Sequence, residues 1–305
     1  TLECKFWCFS LTKISKYTKI IVEDDIMLVN SNSLFFKAQK EGYALPAYNI
    51  NNLEWTKIIL EECEKDKSPV ILSVSEKSIR YFGGYKTVVS VVKSLIDDLN
   101  IKIPVVLHLD HASCFLSCKD AIDAGFTSVM IDLSKEEYLK NVEITSNVVC
   151  YAKKHNVTVE AELGSIGDEQ FKSVFSDIEK CRDFVLTTQI DSFAPSIGNV
   201  HGFYNEDNKL DFELLGAISK EVKIPLVLHG ASSLDANKLK TAIFCGVCKV
   251  NFNTDLMYAW SKSVRSYLNL NKDIYDPRDI ILSGFDSLRQ VIHHKNEIIE
   301  SKNKG

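Results

Sequence analysis

A TIM (β/α)8 barrel with a C-terminal helical extension is the fold this sequence predicts, on three observations. Short apolar, β-branched runs alternate with longer stretches of helical period, the pattern of βα units on a parallel sheet. Eight such runs can be counted, and eight repeats of one unit close naturally into a barrel. Polar residues gather at the C-terminal ends of the runs, the end at which such barrels carry their chemistry.

The runs follow one another at 43–50 (YALPAYNI), 69–75 (PVILSVS), 103–110 (IPVVLHLD) and 127–132 (TSVMID), then at 157–162 (VTVEAE), 190–197 (IDSFAPSI), 224–229 (IPLVLH) and 247–252 (VCKVNF). Apolar residues recur at spacings of three and four in 54–65, 85–99, 137–155, 212–222 and 254–268, which predicts helices there. Asn49, Ser75, Asp110 with His111, Asp132, Glu162, His201, His229 and Asn251 end or just follow the runs. Asp or Glu on a core strand is costly unless paired or metal-bound, so their repetition at one edge predicts a site. Met27 opens a segment that reads as a domain start, so residues 1–26 are expected to be an appendage and 27–305 a single barrel domain.

With 305 residues, 45% hydrophobic, the chain can bury one large core. A net charge of −5, with no Lys/Arg-rich run interleaved with aromatics, excludes a nucleic-acid groove. A phosphorylated substrate would therefore need local cationic or amide groups, because the overall field would not attract it. The nine cysteines are odd in number and form no disulfide framework; Cys245 and Cys248 make a lone CxxC that reads as buried packing thiols. A reduced, cytoplasmic setting is expected, and no run reaches membrane-helix length.

His111, His201 and His229 close three separate apolar runs, so they can converge on one divalent metal and leave a coordination position open. Asp110 and His111 would point to opposite faces of a regular strand unless the strand has already ended. His108 shares the face of Asp110 and is expected to act behind the site, while His155, His293 and His294 are expected in solvent. Gly202, and Gly230 with Ser232 and Ser233, lie in loops whose amides and hydroxyls suit a phosphate. Asn253 and Thr254 form another small polar cluster where this fold often binds phosphate, although either could instead be a helix N-cap. Lys249, inside the last strand, reads as packing or a salt bridge.

LHLDHASCFLSCKDAIDAGFTSVMID, VEAELG, GNVHG, PLVLHGAS, KVNFNTD and YDPR occur here in the order found in class II, metal-dependent fructose-bisphosphate aldolases. The chain resembles that family over residues 27–300, and the related tagatose-bisphosphate aldolases share the skeleton. The resemblance implies an aldehyde-lyase with zinc on His111, His201 and His229. It also implies a second or alternative metal position at Glu162 and Asp132, and a monovalent cation is often found in the family. Asp110 would exchange the C4 hydroxyl proton, and zinc would polarise the C2 carbonyl, so no Schiff-base lysine is required. Gly202, Gly230, Ser232, Asn251, Asn253 and Thr254 match phosphate and substrate loops, and Asn49 and Ser75 match further substrate contacts. Arg278 resembles an arginine that grips the far phosphate in a neighbouring subunit, which implies a homodimer or homotetramer.

The sequence departs from the family after 162–164. Where the family reads GGxED, this chain has SIGDEQFKSVFSDIEK, with a shorter loop. Counting without a gap puts Gln170 at the family's catalytic glutamate, and a one-residue shift puts Glu169 there. Glu169 is the expected catalytic residue, since Gln cannot act as a base. Lys135 replaces a family histidine, and Ser233 replaces a glycine whose positive φ it could resist. Expected, then, is reversible cleavage of fructose 1,6-bisphosphate to dihydroxyacetone phosphate and glyceraldehyde 3-phosphate, in glycolysis and gluconeogenesis. The alternatives are a tagatose 1,6-bisphosphate aldolase, or a phosphosugar- and metal-binding homologue in which the shortened loop has removed proton transfer.

Overall fold

The computed structural model describes residues 28–167, 173–202 and 209–305. In chain order the elements are α1 (Asn32–Glu41), β1 (Leu45–Asn49), α2 (Leu53–Asp66), β2 (Val70–Ser75), α3 (Glu76–Phe82), α4 (Tyr85–Asp98) and β3 (Val105–Ala112). There follow α5 (Phe115–Ala124), β4 (Ser128–Ile131), α6 (Tyr138–Lys153), β5 (Thr158–Leu163), α7 (Ile178–Thr188) and β6 (Ser192–Pro195). The last part comprises α8 (Phe212–Val222), β7 (Leu226–Leu228), α9 (Ala236–Phe244), β8 (Val247–Phe252), α10 (Thr254–Leu270), α11 (Pro277–Leu282) and α12 (Phe285–Ile298). All eight strands pair in parallel in sequence order, and β1 pairs with β8 to close the barrel.

Several of the βα turns carry their own start signal. Asn52 accepts from the Trp55 amide at the head of α2, and Asp177, Asp211 and Asp235 do the same for α7, α8 and α9. Such caps satisfy an otherwise orphaned amide and are worth about 1 kcal/mol each. They also help to set where the strands before them stop, and hence which of their residues face the mouth. At the opposite end α1 packs Leu34, Phe35 and Ala38 against Leu45, Ala47, Ile71 and Val106, plugging the N-terminal end of the barrel.

The helical extension expected at the C-terminus is α11 and α12, with α12 lying against α2 and α10. Ser301 bonds to Ser68, and the Gly305 amide donates to the Lys67 carbonyl, so the tail is stitched under α2. Cys248 is buried, and burial pushes its thiol up to about 12; the described cysteines are all free. No helix among the described residues is long and apolar enough to cross a membrane.

Barrels of this type usually fill their interior with branched apolar layers. Here the layer beneath the mouth is polar: His108, Glu160 and Lys249 are each about 1% exposed and touch one another.

Candidate active site

The alternation of side chains along a strand would separate Asp110 from His111, and the chain resolves this with a bulge rather than by ending the strand. β3 continues through Ala112, two residues past the expected end, while its register against β4 shifts between Leu109 and Ala112. His111 takes a φ of +50° at the shift. A bulge of this kind re-aims one side chain, and a non-glycine residue held left-handed costs roughly 1–3 kcal/mol, which its surroundings must overcome. Both side chains therefore serve the mouth of the barrel.

The three histidines meet there. Ring centroids are 4.6 Å apart for His111 and His229, 5.2 Å for His111 and His201, and 6.1 Å for His201 and His229. One ring nitrogen from each lies within 4.8 Å of the others. His111 Nδ1 is 2.8 Å from Asp132 Oδ2, and His229 Nε2 is 2.8 Å from Glu160 Oε1. Each carboxylate takes the N–H of its imidazole and so selects the tautomer whose other nitrogen carries the lone pair. Those two remaining nitrogens, His111 Nε2 and His229 Nδ1, face each other at 3.1 Å. Two lone pairs in that position need a proton or a cation between them. The donor set therefore fits a divalent metal, and three imidazoles leave further positions open to substrate.

The electrostatics put a proton in that position when no cation is bound. Burial alone would lower His111, but the carboxylates of Asp110 and Asp132 outweigh it and push it up to about 10. Burial, then His111 close by, holds His229 below the usual histidine range against the pull of Glu160. Beneath them His108 is held down to about 3 by burial and by Lys249, so it is a neutral ring, with Nδ1 2.8 Å from Ser128 Oγ. The placement of His108 behind the site and the salt bridge of Lys249, 2.7 Å from Glu160 Oε2, match the sequence reading.

A second candidate metal group shares His111 with Asp132 and Glu162. Asp132 Oδ1 accepts from the Ser134 amide and hydroxyl, leaving Oδ2 for His111. Glu162 is 2% exposed; Oε1 accepts from the Ile166 amide, and Oε2 is buried without a partner. Burial, reinforced by Asp132, pushes Glu162 up to about 8. An orphaned carboxyl oxygen beside two other donors fits a cation site, where a bound cation would take the place of the proton.

Asp110 sits across the mouth. Burial would raise it, but His111, His229 and Lys249 outweigh that and hold it well below the usual carboxylate range. Asn49 Nδ2 donates to one oxygen at 2.8 Å and Asn251 Nδ2 reaches the other at 3.3 Å. A cavity of about 250 Å³ opens beside it. Of the expected substrate and phosphate contacts, Asn49, Ser75, Gly202, Gly230, Ser232, Asn251, Asn253 and Thr254 all wall this cavity, together with Asp110 and the three histidines. Asn51 joins them unexpected. His111 and His201 also wall a neighbouring cavity of about 120 Å³ that contains Asp132, Glu162 and Lys135.

Several roles differ from expectation. Asn253 occupies the N-cap position of α10 but makes no capping bond, and its buried Oδ1 has no partner, so it is turned toward the cavity rather than spent on the helix. Ser75 does cap α3, accepting from the Ser78 amide at 3.2 Å. Ser233 is not held at positive φ; the loop takes its left-handed residue at Gly230, φ +66°. His293, expected to be only solvated, pairs with Asp66 at 2.8 Å. Arg278 is 84% exposed on α11, ion-paired to Asp276, and does not reach the cavity of its own chain. Glu169 and Gln170 lie outside the described residues, as do residues 1–27. The chain is anchored just before that gap: the His201 amide donates to the Gly167 carbonyl at 2.7 Å.

Besides Asn51, Glu160 and Asn199 hold the site in ways that local pattern does not announce. Glu160 fixes His229 from below, and Asn199, fully buried, donates to the His229 carbonyl at 3.0 Å while accepting from the Ile197 amide. Gly230 is irreplaceable for a related reason: a Cβ there would overlap the Val200 carbonyl oxygen, next to His201. Gly230→Ala is expected to add roughly 1–3 kcal/mol of left-handed strain and to push the His201 loop outward. Metal titration should show at least about tenfold weaker binding; unchanged affinity would refute the tight coupling of these loops.

A family model described as fructose-bisphosphate aldolase class-II matches residues 29–304. The fructose-bisphosphate aldolase of Geobacillus stearothermophilus is 45% identical over 283 residues, covering 91% of this chain and 99% of that protein. The 6-phospho-5-dehydro-2-deoxy-D-gluconate aldolase of Bacillus subtilis is 41% identical over 281 residues, covering 91% and 97%. Among solved structures, fructose-bisphosphate aldolase from Campylobacter jejuni superposes with a TM-score of 0.78 at 26% identity, covering 91% of this chain and 97% of that one.

Proposed function

We propose, from the premise that this chain belongs to the class II fructose-bisphosphate aldolase family, that it reversibly cleaves fructose 1,6-bisphosphate to dihydroxyacetone phosphate and glyceraldehyde 3-phosphate. The observation that carries the reading is the convergence of His111, His201, His229 and Asp110 on one cavity walled by phosphate-suited loops. A divalent cation, zinc in this proposal, held by the three histidines would supply Lewis-acid polarisation of the substrate carbonyl. Glu162 and Asp132, with His111, offer a second position for a divalent or monovalent cation.

In the cleavage direction the C3–C4 bond breaks, its electron pair stays on C3, and the C4 hydroxyl becomes an aldehyde. Asp110, held ionised, accepts the C4 hydroxyl proton, and Asn49 and Asn251 fix the carboxylate that does so. Glu169 is assigned the opposite task of delivering a proton to C3. The Gly230 and Ser232 loop, with Asn253 and Thr254, takes one phosphate, and Arg278 of a second copy takes the other, in a homodimer or homotetramer. The reaction belongs to sugar-phosphate breakdown and synthesis in the cytoplasm. A relative 41% identical is named for a sugar acid instead of a sugar bisphosphate, so overall likeness does not fix the substrate, and the discriminating contacts in this proposal are those around Asp110 and Arg278.

Cleavage is expected to vanish with chelator and to return with zinc. Glu169→Gln is expected to lower kcat by roughly 10²–10⁴-fold and to stop exchange of the C1 proton of dihydroxyacetone phosphate, with zinc binding retained. Chelator-resistant cleavage would overturn the metal reading, and a fully active Glu169→Gln would overturn the proton assignment. Faster cleavage of tagatose 1,6-bisphosphate than of the fructose isomer would replace the substrate.

A further inference from the structure

Lysine is almost never fully buried unless it is paired, yet Lys295 is only 6% exposed. It reaches inward from α12, outside the barrel, and its ammonium donates to the Ser232 carbonyl at 2.7 Å. The same nitrogen lies 2.6 Å from Asp255 Oδ2 and 5.0 Å from the centre of the Phe252 ring. Ser232 belongs to the loop after β7, and Asp255 is the second residue of α10, after β8. These two segments also meet directly, where the Asn253 amide donates to Ser232 Oγ at 3.2 Å. One cation from the last helix thus ties together the two segments that wall the phosphate-suited end of the cavity.

The charge has a second consequence. Asp255 lies in the first turn of α10, beside Asn253 and Thr254, both of which face the cavity. A carboxylate there favours the helix, but it competes with any phosphate for the same positive end and repels it. We infer that Lys295 is a positioning residue that neutralises Asp255 and clamps the β7 loop to α10, so that this end of the site accepts a phosphate dianion. The inference rests on the reading of that end as a phosphate cradle, and it adds the residue that tunes its affinity.

Three variants of the metal-loaded enzyme separate charge from damage. Lys295→Met leaves one negative charge uncompensated, Asp255→Asn leaves one positive charge, and the pair Lys295→Gln with Asp255→Asn removes both while keeping polar partners. Binding of dihydroxyacetone phosphate, measured calorimetrically, should follow that charge. Lys295→Met should weaken it by roughly 10- to 100-fold, the neutral pair should stay within about threefold of the parent, and Asp255→Asn should equal or exceed the parent. The KM for bisphosphate should move the same way, with kcat changing far less. Should Lys295→Met fail to fold, the other two decide: weaker binding by Asp255→Asn, or loss of binding by the neutral pair, overturns the inference. A Lys295→Met enzyme that binds as the parent does also overturns it. If the parent itself does not bind dihydroxyacetone phosphate, the functional reading fails and takes this inference with it; tight parental binding with an order that ignores charge sinks this inference alone.

Discussion

Asp110→Asn is expected to lower kcat for bisphosphate cleavage by roughly 10²–10⁴-fold, about 3–5 kcal/mol of transition-state stabilisation. The substitution is nearly isosteric, and with the new oxygen turned to Asn49 it gives up only the longer contact from Asn251 Nδ2. Asn49 donates to one oxygen of Asp110 at 2.8 Å, and an Asn oxygen in that position still accepts this bond. What disappears is the capacity to take up a proton. Because the C4 hydroxyl and the carbon beside the carbonyl are different atoms, which the proposed mechanism gives to different groups, the variant should still exchange the C1 proton of dihydroxyacetone phosphate. Glu169→Gln should show the mirror image, with exchange lost. An Asp110→Asn enzyme within tenfold of the parent would remove Asp110 from the chemistry; loss of exchange and cleavage together would instead mean that the substitution had disturbed the cation site.

The barrel and most of this site were legible because both are written in local pattern. A polar residue ending an apolar run is visible without knowing what lies across the barrel, and Asp110, His229 and Asn251 were found that way. Strand ends shift by a residue or two for local reasons too: the run beginning at Ile103 enters the sheet only at Val105, just after Pro104, which has no amide to donate. The features that stayed hidden depend on distant partners. Glu160 shares a face with Glu162 by the strand period, but it lies one layer deeper, and the residue that neutralises it, Lys249, is 89 positions away. Lys295 reads as one more polar residue on an amphipathic helix, and only the packing of α12 against α10 brings it to Ser232 and Asp255. The bulge at His111 could be posed as a question from sequence, since two functional neighbours cannot share one face of a regular strand, but its answer required the register of β4.

Glu160→Ala should do double damage, for reasons that can be measured apart. Removing the carboxylate strips the partner from His229 Nε2 and leaves Lys249 buried, with His108 Nε2 at 3.2 Å as its remaining polar contact. Breaking a buried charge pair from one side typically costs 3–5 kcal/mol, so denaturant unfolding of the metal-free protein should shift by about that amount. Independently, a ligand imidazole that loses its orienting carboxylate typically binds metal 10–100-fold more weakly, which competition against a chromophoric chelator would read. Glu160→Gln divides the two effects. Its amide oxygen can still accept the His229 N–H, so metal affinity should fall by less than about tenfold, while the charge opposite Lys249 is gone and stability should still drop. A Glu160→Ala protein that holds zinc as tightly as the parent would show that His229 is oriented by the Asn199 bond to its carbonyl and by the packing of β7, and that the buried Lys249–Glu160 pair serves only the barrel's interior.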